Sequence, residues 1–192
     1  MIREVLPQVT LFTAEETARL ETAHKTFLAN MSTLSDLEYR KEMERLGVDL
    51  SWKSSQIEGN TYSLLETERL LKEKETAQGK TKEEAVMLLN HKDALDFILD
   101  CPDYLKTLSV RRLEDIHCIL TKELGVGNGI RKRRVGITGT NYRPLDNEFQ
   151  IREALEDTCQ LINGKDNVFE KALLALVLLS YIQAFTDGNK RT

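Results

Sequence analysis

Between residues 13 and 183, apolar side chains recur at three- and four-residue intervals, the period of helices with one buried face. Thr13 stands before the first such stretch. Glu15 and Glu16 follow in the turn where carboxylates suit the helix dipole, and the pattern predicts a helix to about Asn30. Ser35 or Asp36 opens a second, in which Tyr39, Met43, Leu46, Leu50 and Ile57 mark one apolar face until Gly59 stops it. Further helices are expected at about Ser63 to Lys74, Thr81 to Leu99, Ser109 to Leu124, Phe149 to Asn163 and Val168 to Gln183. Within the last, ALLALVLLSYI from Ala172 to Ile182 is apolar on every side, and being too short to span a bilayer it reads as a core helix. One segment, GVGNGIRKRRVGITGTNYRPLD, breaks the helical period. Its glycines at 125, 127, 129, 136 and 139, with the β-formers Val135, Ile137 and Thr138, predict a short exposed hairpin. The expected fold class is therefore all-α with one β-hairpin.

At 192 residues the chain can bury a proper core as one large domain or a domain with an extension. Its 27 basic and 31 acidic residues leave a formal charge of -4. That balance supplies no field for a nucleic-acid coat or a membrane surface, so any cation that matters must act locally. Cys101, Cys118 and Cys159 are widely spaced, form no CxxC pair and fall among helical apolar positions. They read as reduced, buried small hydrophobes rather than metal or redox ligands. The first residues, MIREVLPQVTLF, lack the long apolar core of a signal peptide, and the expected location is cytoplasmic.

Candidate chemistry concentrates in YIQAFTDGNKRT, Tyr181 to Thr192. A buried helix ends near Gln183, Phe185 can anchor the turn, and Gly188 and Asn189 permit a backbone whose N–H groups converge on an anion. Lys190 and Arg191 add positive charge where a helix start already carries some, an arrangement that calls for phosphate between them. Asp187 can hold Mg²⁺ against phosphate oxygens. An ordinary Asp-Gly turn between helices would read the same way. In SSQIEGN, Ser54 and Glu58 stand four apart on one helix face, and Glu58 sits at the end where the dipole disfavours a carboxylate. Such an acid is most stable facing a cation from elsewhere in the fold, unless it is simply solvated. The hairpin, Arg134 to Pro144, offers an edge for an extended segment of another protein, or is purely structural.

Together, and in this order, these pieces resemble the Fic (Fido) family of nucleotide-dependent protein-modifying enzymes. Phe185, Asp187, Gly188, Asn189, Lys190 and Arg191 fall on the family signature His-x-Phe-x-Asp/Glu-Gly-Asn-Gly/Lys-Arg. Ser54, Glu58 and Gly59 match its inhibitory motif, placed before the core as in the class II type with an N-terminal inhibitory helix. RVGITGTNYRPL, with Val135, Gly136, Ile137, Thr138 and Gly139, resembles the flap that registers a target peptide, and EDIHCIL around His117 and the run Gly129 to Arg131 agree. The resemblance implies residues 1–62 as N-terminal helices including the inhibitory one and 63–192 as the Fic core. It implies ATP with Mg²⁺, a target protein bound as an extended segment, and AMP transfer to a Tyr, Ser or Thr hydroxyl. A homo-oligomer is compatible with it. Asp187 would ligate the metal, Gly188 and Asn189 would build the anion hole, Lys190 and Arg191 would meet phosphates, and Glu58 would block placement of the γ-phosphate.

Two departures stand out. The family's catalytic histidine position holds Gln183, whose amide orients a hydroxyl but cannot take its proton. The family's second arginine falls beyond Thr192, so the expectation is a core incomplete at its C-terminal end and an impaired enzyme. The alternatives are a kinase-like phosphotransferase, which Lys190 followed by Arg191 and Thr192 also resembles, a nucleotide-sensing module without chemistry, or an all-helical interaction domain with no ligand.

Overall fold

A computed structural model describes residues 2–136 and 139–192. After a 3-10 turn at Leu6–Gln8, the chain forms α1 (Ala14–Met31), α2 (Asp36–Ile57), α3 (Leu64–Glu73), α4 (Lys82–Asp100), α5 (Val110–Leu120), α6 (Glu148–Asn163) and α7 (Val168–Ile182). The starts fall where the sequence places them because local capping sets them. Thr13 with Glu16, Ser35 with Glu38, Ser63 with Glu66 and Thr81 with Glu84 each form a reciprocal capping box. Ser109, Asn147 and Asn167 cap α5, α6 and α7. α5 ends four residues earlier than expected, since Glu123 and Gly125 take left-handed conformations that wind the chain out of the helix.

The helices pack in sequence: α2 and α3 against α4, α4 against α5, then α5, α6 and α7 in succession. Val110, Leu113, Ile151, Leu155, Cys159 and Ile182 build the largest core, and Ala184 and Phe185 from the terminal loop are part of it. The loop is thus tied to the hydrophobic interior on both sides of Gln183.

Four expectations are corrected. On α2 the buried residues are Gly47, Val48, Ser51 and Ser55, while Tyr39, Leu46, Leu50 and Ile57 are exposed. Small side chains let the backbone of α2 approach α4, and a long apolar face would hold the helices apart. α7 buries only Leu174, Leu178 and Ile182, because α6 covers one of its faces; Leu176 is 69% exposed and Val177 51%. Cys159 is buried, whereas Cys118 is half-buried and Cys101, the residue after α4, is exposed. Finally, no strand forms among the described residues of the expected hairpin, of which Ile137 and Thr138 lie outside the described residues. The ends of this segment are held by side chains from Arg131 and Tyr142 instead of a cross-strand ladder. Among the described residues no helix is long and apolar enough to cross a membrane.

Candidate functional site

Glu58, Val135, Gly136, Ser180, Gln183 and Thr186 to Lys190 line one open cleft of about 560 Å³. Three segments that the sequence separates by scores of residues therefore meet on a single surface. Glu58 reaches it as the residue that ends α2, and Gly59 turns the chain away with φ +87°. The turn is then pinned to α4: the Asn60 amide donates to the Glu84 carbonyl at 2.8 Å, and the Thr61 N–H and hydroxyl donate to the Glu84 carboxylate at 2.7 and 2.6 Å. The Thr61 hydroxyl first, then the Thr81 and Thr61 N–H groups, hold the Glu84 carboxyl down at about 2. The Trp52 indole donates to the Tyr62 carbonyl at 2.9 Å and closes the turn from the helix side. Asn60 and Glu84 were not singled out in the sequence; the cap signal of Thr81-x-x-Glu84 was legible, but the second use of its acid was not.

The loop wall is shaped from within. The Asn189 side chain accepts from the Phe185 N–H at 2.7 Å and donates to the Phe185 carbonyl at 2.8 Å, closing the loop on itself. Gly188 has φ +76°, and the N–H groups of Arg191 and Thr192 both donate to its carbonyl at 3.0 Å, beginning a helical turn. Among the described residues, no main-chain N–H from Thr186 to Lys190 has a protein acceptor. That is the donor set of an anion nest at a helix start. Asp187, with a side chain 53% exposed, and Lys190 flank it.

Gln183 occupies a left-handed conformation at the end of α7. Its amide nitrogen donates to the Ser180 carbonyl at 2.6 Å, which fixes the NH₂ on the helix side and leaves Oε1 as an acceptor only. Its main-chain carbonyl accepts from Arg131 Nε at 2.6 Å, while the Arg131 N–H donates to the Ala184 carbonyl at 3.0 Å. The rest of that buried guanidinium donates to the carbonyls of Arg133 and Leu145, the two ends of the flap-like segment. The Tyr142 hydroxyl adds a bond to the Tyr181 carbonyl at 2.9 Å, and burial with this bond pushes the phenol up to about 12. Arg131 and Tyr142 thus fasten this segment to the end of α7, a role that composition did not reveal.

Not every candidate reaches the cleft. Ser54 is half-buried and Gly139 is exposed, and neither lines it. Arg191 lies beneath the loop with a side chain 1% exposed, paired with Asp187 at 3.2 Å. His117, 70 positions before Asp187 in the sequence, comes to lie directly against the loop. Its Nε2 donates to the Asp187 carbonyl at 3.0 Å and its ring stacks on Phe185 at 3.9 Å. Being fully buried, it cannot stand in for a missing base. His91 is held by Ser51 at 3.2 Å, and burial together with the nearby Arg191 charge pushes it down to about 4.

The family match covers the part of the chain that carries this loop. Residues 107–192 match the Fic/DOC family. Across 143 residues the chain is 29% identical to protein adenylyltransferase fic-1 of Caenorhabditis elegans, covering 71% of this chain and 28% of that protein. The solved structure of a Fic-1 fragment from the same organism superposes with a TM-score of 0.69 at 22% identity, over 93% of this chain and 56% of that one. A Fic family protein from Desulfovibrio desulfuricans gives 0.72 at 17% identity, over 96% and 56%. These two similarities show an all-helical Fic fold. The chain spans 28% of the curated relative's length and 56% of each solved chain. Sequence match and fold together support a Fic-type protein.

A metal would have few protein ligands here. Among the described residues no cluster of three or more His, Cys, Asp or Glu can hold an ion, and Asp187 is the one carboxylate of the loop wall. A single half-exposed carboxylate beside an anion nest fits a Mg²⁺ that arrives with phosphate ligands, and does not fit a cation caged by protein alone.

Proposed function

We propose that the chain is the ATP-binding part of a Fic-type protein adenylyltransferase, restrained by Glu58 and impaired by Gln183. The observation that supports this best is the shared cleft, which sets Glu58, the base of the flap-like segment, Gln183 and the unpaired N–H groups of the loop around one space. In this reading the N–H groups from Thr186 to Lys190 receive phosphate oxygens, and Lys190 neutralises them from the rim. Asp187 would hold Mg²⁺, whose contribution is to neutralise phosphate charge. Val135, Gly136 and Gly139, with Ile137 and Thr138 between them, would carry an extended target segment so that its Tyr, Ser or Thr hydroxyl meets position 183. Gln183 Oε1 can accept that hydroxyl's hydrogen bond and orient it, but cannot remove the proton. Loss of a general base costs about 10²- to 10⁴-fold. Glu58, which lines the same cleft as Lys190, would oppose the phosphates by charge; Ser54 in the last turns of α2 and Gly59 after it belong to the segment that presents it.

A second reading, a nucleotide sensor that dropped the chemistry, is favoured by Gln183 alone. The two are separated with the full-length chain that the gene encodes, using ATP radiolabelled at the α or the γ phosphate. We expect Gln183→His with Glu58→Gly to transfer α label to protein well above either single variant. Transfer of γ label would mean phosphorylation. A folded double variant that binds Mg²⁺-ATP and labels nothing in a lysate of its own host would leave the sensor.

A further inference from the structure

We infer that His117 and Arg191 are positioning residues that together hold Asp187 at the wall of the cleft, His117 by its main-chain carbonyl and Arg191 by its carboxylate. The inference rests on the nucleotide-binding reading of the loop. Asp187 needs such support: its side chain is half exposed on a short loop, and a carboxylate there has rotamers that point to solvent. From the α5 side, His117 Nε2 meets the Asp187 carbonyl at 3.0 Å. A carbonyl only accepts, so Nε2 carries the proton and Nδ1 is the bare nitrogen of the ring. The stack on Phe185, 3.9 Å between centroids and 11° from parallel, fixes the ring plane, and Phe185 is itself core.

Arg191 completes the grip from below. Its guanidinium is enclosed, its partner is Asp187 Oδ2 at 3.2 Å, and Nε and Nη1 have no protein partner among the described residues. A buried cation with one outlying carboxylate is a poor source of stability. It is a good way to point that carboxylate, because one oxygen is committed inward and the other is left for a cation bearing phosphate ligands. Gly188 locks the two supports together. A Cβ there would stand 3.6 Å from His117 Nε2 and 3.7 Å from Arg191 Nη2, so both groups lie against the same residue. The pattern is that of an outer residue orienting a metal-binding carboxylate.

The test uses the full chain with ¹⁵N-labelled histidine, His117→Phe, which keeps a ring for the stack, His117→Gln, which returns an N–H, and Arg191→Met. We expect His117 in the Nε2–H tautomer by NMR. His117→Phe and Arg191→Met should each speed amide exchange at Phe185 and Thr192, whose N–H groups are bonded to Asn189 and Gly188 of the loop, about tenfold without ligand, the scale of one lost hydrogen bond. In ATP titrations His117→Phe should also reduce the gain in affinity conferred by Mg²⁺ about tenfold while leaving the affinity measured with chelator within about twofold, and His117→Gln should restore both readouts; Arg191→Met should reduce the same gain beyond whatever loss is measured with chelator. An Nδ1–H tautomer, unchanged exchange in both variants, or equal loss of ATP affinity with and without Mg²⁺ would overturn the inference, the last being what a merely structural pair would give. If the unaltered protein binds no ATP, the nucleotide reading fails and the exchange rates alone decide whether the pair anchors Asp187. If His117→Phe does not fold, the tautomer of the unaltered protein and Arg191→Met decide.

Discussion

Gly188 shows how little freedom single residues have around the loop. Its φ of +76° is unfavourable for any residue with a Cβ, and an added methyl would also sit 3.3 Å from Thr121 Cγ2. Gly188→Ala should therefore lower stability by about 1–2 kcal/mol and distort the row of N–H groups. Urea unfolding paired with an ATP titration checks this, and we expect binding to fall by more than stability alone explains. His91 supplies a pH signature. Unfolded, its imidazole takes a proton below about 6.5, whereas in the fold burial and Arg191 hold that event down to about 4. Stability should thus fall as pH drops from about 6.5 and level off below about 4, by up to about 3 kcal/mol. Denaturation midpoints between pH 7 and pH 4 should show the slope, and His91→Gln should flatten it. Neither histidine's setting was legible in the sequence: His117 and Asp187 are 70 positions apart, and only the packing of α5 on the loop brings them together.

At the scale of elements, the helix starts were legible because capping is local, and the faces were not because packing is not. α2 carries a plausible apolar stripe and yet buries its small one. Ser51 and Ser55 lie on that face with opposite accounts. Ser51 bonds to His91, while the buried Ser55 hydroxyl has no partner among the described residues. Ser55→Ala should be neutral or stabilise by up to about 1 kcal/mol, and Ser51→Ala should destabilise by about 1 kcal/mol, both read from thermal unfolding. The flap-like segment was legible as an interruption and as a motif. Its fastening was not, since Arg131 bonds only to main-chain carbonyls, which any sequence offers. Arg131→Met should release both ends of the segment. Trypsin, with sites at Lys132, Arg133 and Arg134, should then cut there faster than in the unaltered chain, while cleavage after Lys74 stays at the same rate. Equal acceleration at both places would mean global destabilisation instead.

Across the whole molecule, the cleft joins the end of α2 to the end of α7, so its two walls report on different halves of the helical stack. Trp52, the chain's one tryptophan, belongs to the first wall: it stands six positions before Glu58, and its indole N–H is bonded to the Tyr62 carbonyl across the turn. Intrinsic fluorescence is consequently a built-in gauge of that turn. With the indole excited selectively over the five tyrosines, a ligand or substitution that shifts Glu58 will change the polarity and quenching around it, whereas rearrangement confined to α5, α6 and α7 will leave its emission unchanged. Comparing emission with a global probe such as circular dichroism would separate release of Glu58 from unfolding, with no label introduced into the protein.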